Sequence, residues 1–307
     1  MPEVLVAGEA LVDLVPDSPR PLPEVESFSR RAGGAPANVA VALSRLGHTP
    51  RFDTRVGADA FGRFLADTLD TEGVGDHVQR DAERDTALAV VSHAPGDDSF
   101  QFYRTDTADC HLDTARVPDR ALDAASWLVV GGVMLSQEPG RTAIRDLVAR
   151  ARDCDCRVAF DPNGRPDLWD SKHERREVTD RLLSESDLVV TSADDLPWLP
   201  DAEFADAVLS AGPSAVAVTR GDEGAGLLAT DDSPWGDTAV DHPGFDAAEV
   251  DPTGAGDAFT AGLVAAILDD RSAHDAIAYA NACGAAAVTA RGAMPALPDR
   301  DAAESFL

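Results

Sequence analysis

Asp251-Pro-Thr-Gly-Ala-Gly-Asp257, continuing into Ala-Phe-Thr-Ala-Gly-Leu-Val-Ala-Ala-Ile-Leu268, sets a glycine-rich turn at the mouth of an apolar helical segment. The first amides of a helix have no carbonyl partner within it, and the helix dipole adds partial positive charge there. Such a turn suits a phosphate. Asp257 falls in the first turn, where the dipole favours its ionised form. An anion cradle alone implies nucleotide binding; a cradle beside a base implies transfer of the phosphoryl group.

Working outward, short apolar runs alternate with helical patterns. Strands are expected at Val4–Ala7, Arg51–Val56, Trp127–Val130, Arg157–Phe160, Leu188–Val190 and Ala215–Thr219. Helices are expected at Ala37–Leu46, Ala60–Leu69, Ala255–Leu268 and Ala273–Thr289. This alternation predicts an α/β fold with a mostly parallel sheet covered on both faces. Two segments, about 10–32 and 86–108, break it with strand patterns that lack helices. They read as a small antiparallel flap acting as a lid, or alternatively as an edge extension of the main sheet. The second contains Ala87–Ser92 and Ser99–Arg104 around a Pro-Gly-Asp-Asp turn. Asp231–Thr238 reads as a hairpin loop.

The chain has 307 residues, 55 acidic against 26 basic, for a net charge of −29. That balance excludes nucleic acid and anionic membrane as partners. Lys172 is the only lysine, and together with the abundant Asp and Ala it reads as adaptation to molar salt, where carboxylate repulsion is screened. An acidic mesophilic protein is the plainer alternative. The halophilic reading predicts loss of structure at low salt. Cys110, Cys154, Cys156 and Cys283 are too scattered for a disulfide framework and read as reduced thiols. No apolar run is long enough to span a bilayer, so a soluble, cytoplasmic protein is expected.

In open α/β sheets ligands gather beyond the carboxyl ends of the strands. Polar residues stand at several of those ends: Asp13, Asp161-Pro-Asn-Gly-Arg165, Thr191-Ser-Ala-Asp-Asp195 and Thr219-Arg-Gly-Asp-Glu-Gly224. Arg31-Ala-Gly-Gly-Ala-Pro-Ala-Asn38 is a second glycine-rich helix entry. Gly33 and Gly34 permit close backbone approach, and the Asn38 amide offers both a donor and an acceptor to a hydroxyl. Taken alone it is equally an ordinary helix start with proline in the first turn.

Gly33-Gly-Ala-Pro-Ala-Asn38 followed by Leu46-Gly47 resembles the first motif of the ribokinase-like (PfkB) carbohydrate kinases, and Asp251–Phe259 resembles their second. Asp161-Pro-Asn163, Val218-Thr-Arg-Gly221 with Gly224, and Arg291–Pro298 fall in the family's order. The likeness runs nearly end to end. It implies a single ribokinase-like domain over residues 1–307, a three-layer α/β/α core with a small β lid, and ATP-dependent phosphorylation of a sugar hydroxyl. By resemblance, Asp257 would be the base, and Gly254, Ala255 and Gly256 would form the anion hole. Asp13, Gly33, Gly34, Asn38, Tyr103, Arg104 and Arg165 would meet the sugar. Asn163, Ser192, Thr219, Arg220, Gly221, Gly224 and Asn281 would border the ATP. Asp195 would organise Mg2+ through water, and Asp251, Thr253 and Gly292 would surround K+. The family's Asn-x-x-Glu metal motif departs here to Ser192-Ala-Asp-Asp195. Arg165 is equally readable as a surface-loop arginine.

The lid stretch Phe100-Gln-Phe-Tyr-Arg104 with Thr107-Ala-Asp109 resembles fructokinases, which implies fructose as acceptor. Its Tyr-Arg pair is shared with 2-keto-3-deoxygluconate kinases, the alternative, in which Arg104 would pair a carboxylate. A binding regulator that kept the fold and lost turnover is a rival of another class. A dinucleotide oxidoreductase fits less well, because the glycine turn lacks a third glycine. Unpaired flap edges predict a homodimer through the lid.

Overall fold

The computed structural model describes residues 3–92, 100–200 and 203–307. The Pro95–Asp98 turn and Ser99 lie outside them. Nine strands form one sheet in the order β13 (Thr238–His242), β12 (Ala225–Ala229), β11 (Ala215–Thr219), β10 (Leu188–Thr191), β9 (Arg157–Asp161), β8 (Trp127–Gly131), β1 (Val4–Ala7), β4 (Arg51–Gly57) and β5 (Val78–Asp81). Neighbours from β11 across to β5 run parallel, while β11–β12 and β12–β13 pair antiparallel. The loop Asp231–Thr238 joins that antiparallel pair.

Alternation along the central strands builds the three layers. Val4 and Val6 of β1 join one apolar core, while Leu5 and Ala7 join the other. β8 divides likewise, Trp127 and Val129 to the first core and Leu128 and Val130 to the second. The first core packs the helices Ala35–Arg45, Ala255–Leu268 and Ala273–Ala287; the second packs Gly140–Asp153 and Lys172–Ser184. Burial on both faces explains why these strands read as unbroken apolar runs.

A second sheet of four strands has the order β3 (Phe28–Gly33), β2 (Leu11–Pro16), β6 (Leu88–Val91) and β7 (Phe100–Tyr103). It is separate from the main sheet, so the edge-extension alternative does not hold. It is not wholly antiparallel: β2 pairs β6 in parallel, with antiparallel hairpins on either side. The cause is topological. β2 follows β1 and β6 follows β5, both leaving the same edge of a parallel sheet in the same direction. β5 itself was not expected, because Val-Gln-Arg-Asp has no apolar run and lies at the sheet edge.

Candidate functional site

β4 flanks β1 on one side and β8 on the other, so the order of strands reverses around β1. Ligand crevices form at such a point. A cavity of about 390 Å3 opens there, between the carboxyl ends of β1, β9, β10 and β11 and the underside of the lid. That is within the range of small-molecule sites.

Its most constrained corner is the start of the helix Ala255–Leu268. Gly254 is left-handed, with φ 87° and ψ −1°, and a Cβ there would lie 2.8 Å from Ala293 Cα. Only glycine turns the chain this way at ease. A Cβ on Gly256 would meet nothing within 4 Å, so the turn leaves an open cradle on the cavity side. That space, at amides without helical partners, fits a phosphate.

Asp257 stands beside the cradle. Asn38 Nδ2 donates to its Oδ2 at 2.7 Å, linking the two glycine-rich motifs across 219 residues. Asn38 Oδ1 is buried without a partner in the chain, an acceptor suited to a ligand hydroxyl. Burial pushes the Asp257 carboxyl up to about 6, against the lowering effects of the Asn38 hydrogen bond and the Arg165 charge. Asp13 is pushed up to about 7 by burial and by the charge of Asp257, again opposed by Arg165. Arg165, from the loop after β9, is therefore a cavity residue and not a surface one; its guanidinium lies 5.4 Å from the centre of the Phe100 ring.

Gly33 is not itself in the wall, but a Cβ there would fall 2.1 Å from Asp13 Oδ2. The glycine makes room for that carboxylate. Gly34, with φ 102°, allows the helix entry to pass against the Glu9 carbonyl, which a Cβ would approach to 2.6 Å. The first glycine pair thus shapes the acceptor side as the second shapes the phosphate side.

Thr191, Ser192, Asp195, Asn163 and Thr219 line the far end. Asp195 Oδ1 accepts from Gly164 N at 2.7 Å, and its Oδ2 accepts from Ser192 N and Oγ at 3.0 and 2.8 Å. With both oxygens so engaged, Asp195 suits outer contact to a hydrated cation. Among the described residues no group of three or more His, Cys, Asp or Glu forms a ready metal cluster. Asp251 accepts from Thr253 N at 3.0 Å and Gly292 N at 2.8 Å, which draws those three residues together beside the cradle.

Several expected residues lie elsewhere. Tyr103 is 54% exposed and outside the cavity wall. Arg104 is corrected as a sugar ligand: it is buried behind the wall and ion-paired with Asp109. Asn281 is buried in its helix and donates to Ile277 O at 2.8 Å. Arg220 pairs with Asp241, and neither it, Gly221 nor Gly224 lines the cavity.

Glu9, Asp161, Phe100 and Phe102 line the cavity without having been assigned to it. The strand-end rule finds Glu9 after β1 and Asp161 at the end of β9. The β7 alternation puts both phenylalanines on one lid face. Burial raises Asp161 well above the usual carboxylate range, with Asp195 and Asp257 adding to the rise.

Comparison with known proteins bears on the family and the fold. The pfkB family carbohydrate kinase pattern matches residues 1–300. Fructokinase-1 of Oryza sativa subsp. japonica is 37% identical over 310 residues, covering 96% of this chain and 94% of its own. The crystal structure of a fructokinase double mutant from Vibrio cholerae O395, with fructose, ADP and potassium bound, superposes with a TM-score of 0.85 at 32% identity, covering 100% and 98% of the two chains. A putative ribokinase II from E. coli, in complex with ATP and Mg+2, gives a TM-score of 0.89 at 27% identity over 100% and 99%.

Proposed function

The chain belongs to the pfkB family of carbohydrate kinases, and from that premise we propose that it transfers the terminal phosphoryl group of ATP to a hydroxyl of fructose. The observation that carries this is the pairing of Asp257 with Asn38 at the mouth of an open glycine cradle. Asn38 Oδ1 and the Asp13 carboxyl hold the acceptor. Asp257 takes the hydroxyl proton as the oxygen attacks phosphorus, and ADP leaves with the bond to its β-phosphate oxygen. A carboxylate is a weak base for an alcohol, so the proton moves as the bond to phosphorus forms in a loose transition state. The amides of Gly254, Ala255 and Gly256 then face the developing charge.

Magnesium would neutralise phosphate oxygens, and Asp195 would be the residue to hold it through water. Asp251, Thr253 and Gly292 are the residues for a potassium ion. Fructose is favoured over a sugar acid by the likeness to fructokinases, and Arg104, the cation expected to meet a carboxylate, is paired with Asp109 instead. Asp257 and an intact glycine turn favour an enzyme over a regulator. Two wider traits belong to the same reading: salt-dependent stability, from the net charge of −29, and a homodimer through the lid, whose strands expose Phe28 and Tyr103. Light scattering at high salt tests the dimer, and a monomeric mass removes it.

The test of function is ADP release in molar KCl with fructose, with 2-keto-3-deoxygluconate and with no sugar. Fructose-stimulated release is expected. Release stimulated only by the sugar acid overturns the acceptor, and none across a broad sugar panel overturns catalysis.

A further inference from the structure

Arg104 is the largest fully buried side chain among the described residues, yet it is not in the cavity wall. It closes β7, the lid strand that brings Phe100 and Phe102 into the cavity. Its guanidinium reaches out of the lid. Nε donates to Asp109 Oδ2, Nη1 to Val133 O at 3.1 Å and Ser136 Oγ at 3.2 Å, and Nη2 to Met134 Sδ at 3.1 Å. Thr107 Oγ1 donates to Asp109 Oδ1 at 2.6 Å, which fixes the carboxylate. Val133, in the turn after β8, is itself in the cavity wall. One side chain therefore ties the lid strand to the floor of the same cavity.

Charge follows from the same knot. The Arg104 cation is matched by the Asp109 anion, and each of its three nitrogens has a partner in the chain. The wall in front of it carries Glu9, Asp13 and Asp257, with Arg165 as the facing cation. Glu9 Oε2 is buried without a partner in the chain.

Resting on the fructokinase reading, we propose that Arg104 is a positioning residue: paired with Asp109, it locks the lid strand against Val133 as one wall of the acceptor pocket. The requirement is for the planar fork. Lysine, a compact cation with no planar fork, cannot span Asp109, Val133 and Ser136 at once.

Removing one partner of a buried ion pair leaves a stranded charge, whereas replacing both by apolar groups is often tolerated. The double variant Arg104→Met/Asp109→Leu is therefore compared with Arg104→Lys, both in the full chain. A positioning role predicts that the folded double variant raises KM for fructose about tenfold while KM for ATP stays within about twofold. Arg104→Lys should raise KM for fructose by a smaller factor and leave KM for ATP alone. An unchanged fructose KM in a folded variant overturns the proposal, as does a loss confined to kcat or to the amount of active protein. Failure of both variants to fold assigns Arg104 to stability alone and overturns it too. If the parent itself ignores fructose, the fructokinase reading fails instead.

Discussion

The two ends of the cavity are built by different means. At the acceptor end, charged and amide side chains are held by one another: Asn38 bonds Asp257, Gly33 clears space for Asp13, and Arg104 fastens the lid behind. At the donor end the chain mostly withdraws. Gly256 faces open space, Arg220 turns to Asp241, and Asn281 bonds back onto its own helix. Discrimination among sugars needs fixed polar partners, since a buried group left unpaired is costly. A triphosphate can be held by amides and a cation with few side chains. Substitutions at the two ends should therefore separate into effects on fructose and effects on ATP.

The largest effect is expected where the ends meet. Asp257→Asn should lower kcat on the order of 10³-fold with ATP affinity little changed. Equal loss of ATP affinity would place Asp257 in donor binding and blur the comparison. Gly33→Ala comes next: its methyl displaces the Asp13 carboxylate, and KM for fructose should rise about tenfold with KM for ATP unmoved. Steady-state kinetics in both substrates decides it.

The glycines at the donor end make a paired test. Gly254→Ala forces a left-handed position and a clash with Ala293, so it should destabilise by roughly 1–3 kcal/mol in thermal unfolding. Gly256→Ala meets no neighbour and improves a helix, so stability should hold or rise by up to about 1 kcal/mol while KM for ATP climbs. A destabilised Gly256→Ala would show that the space beside it is not open.

The pH dependence is gentler. Asp257, pushed up to about 6, must be ionised to accept a proton, so kcat should fall as pH drops through 6. Stability runs the other way. A folded-state carboxyl above its unfolded value binds extra protons when folded, so the contribution of Asp257 is present below about pH 4 and lost as pH rises through 6. Asp257→Asn should therefore melt a few degrees above the parent at pH 8, with the gap narrowing at pH 5 and closing near pH 4.

The central strands β1 and β8 to β11 were legible because they are largely buried on both faces, and β9, β10 and β11 run into polar loops. The glycine motifs were legible for a related reason: Gly34 and Gly254 need conformations that few other residues adopt. What escaped was set by tertiary contact. β5 has no apolar signature, and the parallel β2–β6 pairing follows from chain direction rather than from any local pattern. Tyr103-Arg104 reads as a ligand pair by resemblance to sugar kinases that share it, and resemblance carries no information on which partner holds the arginine. Asp109, only five residues on, takes its charge, and no spacing rule says which of the two would win. The Asn281 amide nitrogen is likewise turned to Ile277 O.

The most direct test of the account is a crystal structure with fructose and a non-hydrolysable ATP analogue. A fructose hydroxyl within about 3.2 Å of the Asp257 carboxylate, with the terminal phosphate against the Gly254–Gly256 amides, is the predicted result. Terminal phosphate away from that turn, or no sugar oxygen near Asp257, would contradict it.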